Sequence, residues 1–118
     1  MKKIIFYSYL KCSTCKKAAK WLKSKDFEFQ LIDIVKEPPL DNYLSLALKQ
    51  YSDDKKRIFN TRGKAFKTLK LDINSLSREE IIQILLSDGK LIKRPFLIYE
   101  LKKVILGFNE AEYSNHLL

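Results

Sequence analysis

The chain begins with a short apolar run, Ile4-Ile5-Phe6-Tyr7, rich in β-formers and too brief for a helix, which predicts a buried strand. The spacing then changes. Cys15, Ala18, Ala19 and Leu22 recur at i, i+3, i+4 and i+7. That pattern predicts an amphipathic helix over roughly 13–25, with Cys12 just before its first turn and Cys15 on its buried face. Phe27 to Ile34 alternates apolar and polar residues and predicts a second strand. A strand, a helix and a strand in so short a stretch make a βαβ unit, whose crossover implies parallel strands.

Pro38-Pro39 breaks the chain, and Asp41 stands where it can cap a helix with the apolar stripe Leu44, Ala47, Leu48 and Tyr51. Ser52 to Lys56 reads as a polar turn and Ala65 to Leu71 as a short helix. Ser77 with Glu80 spells a capping box, opening a helix that contains Ile81, Ile82, Leu85 and Leu86 and stops at Gly89. Pro95 to Tyr99 and Val104 to Leu106 read as strands, joined by a charged hairpin turn over Glu100 to Lys103. Asn109 caps a final helix holding Tyr113 and Leu117. The order is β-α-β, a helical insert near 40–87, then β-β-α. This is an α/β, thioredoxin-like order, with a mixed four-stranded sheet flanked by helices expected as a single domain over 1–118.

At 118 residues such a domain buries a core without disulfide staples. No apolar run approaches the roughly 18–20 residues of a membrane span. The two lysines before the first apolar run superficially suggest a signal peptide, but no small-residue cleavage site follows, and Lys11-Cys12 come at once. The expectation is a cytoplasmic protein without a membrane partner. A net charge of +9 raises nucleic-acid binding. The basic residues are spread, without an arginine-rich block or interleaved aromatics, so no direct nucleic-acid contact is expected. The charge is nonetheless uneven: residues 1–25 carry eight lysines and no acid.

That lysine field surrounds the two cysteines, which are spaced CxxC. In a reducing compartment a close pair is redox-active or metal-binding more often than structural. Zinc needs four ligands, whereas the other candidate, His116, stands at the far end of the chain and reads as solvated. No metal and no bound cofactor are expected. Thiol–disulfide exchange requires a thiolate, and a free thiol is mostly protonated at neutral pH. A helix N-terminus and the nearby Lys11, Lys16 and Lys17 both favour the anion at Cys12, making it the expected nucleophile. Cys15, one turn in and buried, is the expected resolving thiol. Arg94 and Arg62 are candidates for holding an anion or a partner. Pro95 starts a strand as edge or strand-start prolines do, and its isomer is open at this level. Trp21, off the main buried stripe, is expected to pack against the insert.

The ordered series Tyr7, Lys11-Cys12-Ser13-Thr14-Cys15-Lys16-Lys17-Ala18, Asp33-Ile34, Pro38-Pro39, Asn60-Thr61-Arg62-Gly63, Leu91-Ile92-Lys93-Arg94-Pro95 and Gly107-Phe108-Asn109-Glu110 resembles the arsenate reductase ArsC/Spx family nearly end to end. The likeness is nearest to its glutaredoxin-like CxxC members. It implies a thioredoxin-like core with a helical insert, Cys12 as the reactive cysteine, and Arg94-Pro95 beside it. It also implies glutathione or another low-molecular-weight thiol as co-substrate.

The departures from the family pattern matter as much. Glutathione-dependent arsenate reductases grip the oxyanion with three arginines and use one cysteine. Here Arg94 matches one arginine, while Asn60 and Gly107 stand in the other two places and Arg62 is a candidate partial substitute, so true arsenate reduction is the less favoured reading. Cys15 stands where those enzymes have serine, so this chain carries its own resolving thiol. The resemblance therefore implies a thiol–disulfide oxidoreductase acting on a disulfide-bearing protein or small thiol, and expected as a monomer. Its second implication is a redox-switched regulator like Spx, which binds the RNA polymerase α subunit. Against this stand Asp54 in place of a contact glycine, and a last helix that ends by Leu118 where Spx continues.

Overall fold

A computed structural model describes residues 3–118; Lys2, one of the eight lysines of the basic segment, lies outside them. Four strands carry the fold: β1 (Ile4–Ser8), β2 (Gln30–Asp33), β3 (Phe96–Tyr99) and β4 (Lys103–Leu106). They form one sheet in the order β2-β1-β3-β4. β1 and β2 run parallel, and the other two pairings are antiparallel, so the sheet is mixed as expected. Around it lie α1 (Ser13–Ser24), α2 (Asp41–Gln50), α3 (Lys64–Leu69), α4 (Arg78–Ser87) and α5 (Glu110–Leu117).

Alternation along the strands sorts their side chains onto two faces. Ile4 and Phe6 with Leu97 and Ile105 turn toward α1 and α5, joining Ala18, Trp21, Leu22, Tyr113 and Leu117. Ile5 and Tyr7 with Phe96, Ile98, Val104 and Leu106 turn the other way, under Leu44, Leu48, Ile81 and Leu85 of the helices between β2 and β3. Gly89 lets that helical segment meet the chain just past β2: a Cβ there would collide with the Ile34 carbonyl. The Ser77–Glu80 capping box forms in full, with Glu80 N–H donating to Ser77 Oγ at 3.1 Å and Ser77 N–H to Glu80 Oε1 at 2.8 Å.

Several local expectations are corrected. Asp41 does not cap α2; extended Leu40 takes that position, and Asp41 Oδ1 accepts from Ser45 Oγ within the first turns. Strand β2 begins only at Gln30, because Phe27 and Phe29 turn into the aromatic core before the ladder, and just past its end Ile34 N–H still donates to the Ser8 carbonyl at 2.9 Å. The short helix predicted over 65–71 runs Lys64–Leu69, ended by left-handed Lys70. Trp21 faces away from the insert, stacked on Phe27 and edge-on to Tyr113. No helix among the described residues is long and apolar enough to cross a membrane.

Candidate active site

Register brings the distant parts of the site together. Tyr7 pairs with Phe96, and Phe96 with Leu106, so residues following β1, preceding β3 and following β4 meet at one end of the sheet. At that end the chain leaves β1 through Tyr9-Leu10-Lys11 and enters α1 at Cys12. The turn is closed by Cys12 N–H donating to the Tyr9 carbonyl at 2.9 Å.

Cys12 is the N-cap of α1, and the Cys15 N–H donates to its Sγ at 3.3 Å. A sulfur thus occupies the place usually taken by a serine or aspartate oxygen, among helix N–H groups lacking internal acceptors. Cys12 is half-buried, so its sulfur is both held and reachable. Cys15 is only 1 % exposed. Burial pushes its thiol up to about 11; the hydrogen bond with Cys12 adds to the rise, while the Tyr9 backbone and Ser8 hydroxyl oppose it. Both cysteines are free thiols. The pair is therefore asymmetric, with one accessible capping sulfur and one buried protonated thiol beside it.

Pro95 follows a cis peptide bond from Arg94 and is buried. Its carbonyl accepts from Gly107 N–H at 2.9 Å, tying the segment to the end of β4. Gly107 needs its freedom here, because φ is +71°. The Arg94 guanidinium lies over the Tyr9 ring, 4.9 Å from its centroid, while Nη1 donates to the Lys90 carbonyl at 3.4 Å. Tyr9 therefore links the cysteine loop to Arg94, a role the sequence reading missed. An aromatic just past a strand has many ordinary explanations, and the only available signal was its place three residues before Cys12.

The other sequence candidates separate. Lys11 is exposed in the loop beside Cys12. Arg62 is exposed on the turn after Asn60 and makes no hydrogen bond, ion pair or ring contact with the cysteine loop among the described residues. Asn60 turns its amide to the same Lys90 carbonyl that Arg94 uses. Over Gly107 lies the stem of Lys93, whose Cε would stand 3.2 Å from a Cβ at that position. Lys93 also lines a cleft of about 340 Å³ with Arg57, Lys56 and Thr61. His116 is exposed, with Nδ1 3.1 Å from Lys103 Nζ.

Behind Cys15, Tyr113 is fully buried. Burial and the neighbouring Cys15 and Glu112 raise its phenol well above the usual range. Its hydroxyl donates to the Gly107 carbonyl at 3.0 Å, joining α5 to the β4 end that holds Pro95.

Comparison with known proteins places this arrangement. The uncharacterized protein YusI of Bacillus subtilis is 37 % identical over 115 residues, covering 96 % of this chain and 97 % of that one. The global transcriptional regulator Spx of Lactiplantibacillus plantarum is 33 % identical over 114 residues, 97 % of this chain and 86 % of the relative. A crystal structure of a possible arsenate reductase from Streptococcus mutans superposes with a TM-score of 0.87 at 35 % identity, covering 97 % of this chain and 98 % of its own. The fold is thus the thioredoxin-like one expected. The ArsC family model matches residues 7–116, so it takes in the cysteine loop, the helical segment and the cis-proline segment, and the chain belongs to the ArsC family.

Proposed function

We propose that the protein is a thiol–disulfide oxidoreductase working through Cys12 and Cys15. The observation that carries the reading is the N-cap geometry. A reachable Cys12 sulfur receives the Cys15 N–H at the start of a helix, and a buried thiol waits one turn in. In the first step Cys12 thiolate attacks one sulfur of a substrate disulfide, forming a mixed disulfide and expelling the other half as a thiolate. The expelled thiolate takes up a proton. Cys15 then loses its proton and attacks Cys12 Sγ, closing an internal disulfide and releasing the second half as a thiol. The substrate gains two electrons and the cysteine pair loses them. A low-molecular-weight thiol such as glutathione returns them by the reverse exchange.

The elevated Cys15 thiol fits this order, since a protonated Cys15 does not compete as first nucleophile. Arg94, steadied over Tyr9, keeps guanidinium donors for an anionic group of the substrate.

The test is reduction of 2-hydroxyethyl disulfide by glutathione with the purified protein present. Turnover above the uncatalysed exchange is expected, falling to background in Cys12→Ser. Cys15→Ser is expected to accumulate a mixed disulfide on Cys12, seen as added mass on the intact protein. Absence of turnover in the native protein, or of any adduct on Cys15→Ser, sinks the reading.

A second reading draws on the similarity to Spx, a global transcriptional regulator. On it the same cysteine pair switches a surface containing Arg94 that binds the RNA polymerase α subunit. Co-purification with the α C-terminal domain, compared between reduced and oxidised protein, decides it. No binding in either state ends the idea.

A further inference from the structure

Helix α1 carries more positive charge than a thiolate at its start can use. Lys16, Lys20 and Lys23 recur at i, i+4 and i+7 and share one exposed stripe, with Lys17 alongside. Cys12 stands four residues before Lys16, at the head of that stripe. The helix contains no acid at all. Helices α2, α4 and α5 each place an acid in the first turn, where the macrodipole favours one. Helix α1 instead has Lys16 there or just beyond, and its like charges face each other at Lys16–Lys20 and Lys20–Lys23. Such pairs oppose the helix. None of these lysines is ion-paired among the described residues.

Distance separates the lysines by what they can act on. Lys16 lies within about one turn of Cys12. Lys20 and Lys23 stand about 12 and 16 Å along the axis from it, at 1.5 Å per residue. Exposed charges are felt over roughly 8 Å at physiological ionic strength. Lys20 and Lys23 thus contribute little to the sulfur, and the stripe they extend calls for a different role.

We propose that the lysine stripe of α1 docks an acidic segment of a protein whose disulfide Cys12 attacks. The proposal rests on the thiol–disulfide reading above and names its substrate class. Opposite charge along the stripe steers such a segment onto the helix and delivers its sulfur to the stripe's end. Leu10, 80 % exposed in the loop before Cys12, adds an apolar contact at that end. A protein is favoured over other polyanions because the stripe leads to a thiol. Nucleic acid and lipid carry no disulfide for that thiol to exchange with. In the exchange one mixed disulfide forms on Cys12 as the substrate disulfide breaks, and one thiolate leaves.

Two synthetic peptide disulfides of equal length, one flanked by glutamates and one by serines, provide the test. Their reaction with the reduced protein is followed by stopped flow at low salt and at about 0.5 M salt. The acidic peptide is expected to react about tenfold faster at low salt, with the ratio falling toward one at high salt. In Lys20→Glu/Lys23→Glu the preference is expected to disappear, and Lys20→Gln/Lys23→Gln is expected to fall between. Equal rates for the two peptides at low salt, or a preference that survives in the charge-reversed variant, overturn the proposal.

Should neither peptide react, the oxidoreductase reading fails separately. The stripe is then judged by amide NMR shifts with the acidic peptide carrying serine in place of cysteine. Shifts along Lys16–Lys23 support docking, and their absence overturns it. Stronger shifts with a DNA duplex or an anionic phospholipid vesicle overturn the choice of a protein partner.

Discussion

The two faces of the sheet are covered by different kinds of core. Against α1 and α5 the packing is aromatic: Phe6, Trp21 and Tyr113 meet Phe27, Phe29 and Phe108, with ring centroids 4.8–6.5 Å apart. Against the inserted helices it is mainly aliphatic, with Leu44, Ile81, Leu85 and Ile92 fully buried. The aromatic face carries the helix on which Cys12 and Cys15 sit, and its Tyr113 reaches Gly107. The aliphatic face supplies bulk and steadies the segment before Pro95, where Lys93 N–H donates to the Ile58 carbonyl at 2.8 Å. The contrast teaches that geometry at the sulfurs depends mainly on one face, while stability is drawn from both.

The sharpest way to break this contrast is to hollow out each face in turn. Phe6→Ala is expected to cost about 3–5 kcal/mol and Leu85→Ala about 2–5 kcal/mol in denaturant unfolding. Only Phe6→Ala should also speed iodoacetamide labelling of Cys15 in the folded protein. Equal exposure of Cys15 in both variants would show that the faces are not separable.

Tyr113→Phe leaves the rings in place and removes only the hydroxyl. Because the Gly107 carbonyl then loses its donor, a loss of about 1–3 kcal/mol is expected by thermal or denaturant unfolding. Unchanged stability would remove the link between α5 and the end of β4.

The same face predicts a pH dependence. Folding raises the Cys15 thiol above its ordinary value, to about 11, and raises the Tyr113 phenol as well. The protonated forms are therefore favoured by folding. The stability from Cys15 is fully present below the ordinary thiol range and is lost as pH climbs through about 11. Denaturant midpoints measured across that interval should decline, and Cys15 labelling should rise with them. A flat midpoint contradicts the burial argument.

The smallest effect is expected outside both faces, in the β3–β4 turn. Glu100 and Leu101 both hold positive φ, at 52° and 57°. Leu101→Gly should stabilise by about 1 kcal/mol or less, since glycine adopts that region without the steric cost but loses more freedom on folding. A destabilised variant would mean that the half-exposed Leu101 side chain contributes packing.

The legible parts of this protein were local ones. The capping box at Ser77 and Glu80 forms because both partners lie within one turn. Cys15 is buried because its spacing to Ala18 and Leu22 fixes a helix face. Asp41 misled because capping depends on where the chain enters the helix. The proline pair leaves Leu40 extended, which puts Asp41 one residue too far in. Trp21 misled because its helix angle gives a direction and not the element that fills it.

Sequence by itself determined the element order, the βαβ and ββα halves, and a cysteine pair at a helix start within a field of lysines. These follow from periodicity and spacing, which act over a few residues. Only the tertiary structure decided which distant groups meet that pair. Arg94 rests on Tyr9, Gly107 is tied to Pro95 and Tyr113, and Lys93 covers Gly107. Strand register sets those meetings, and register is a property of the whole sheet packed between its two cores.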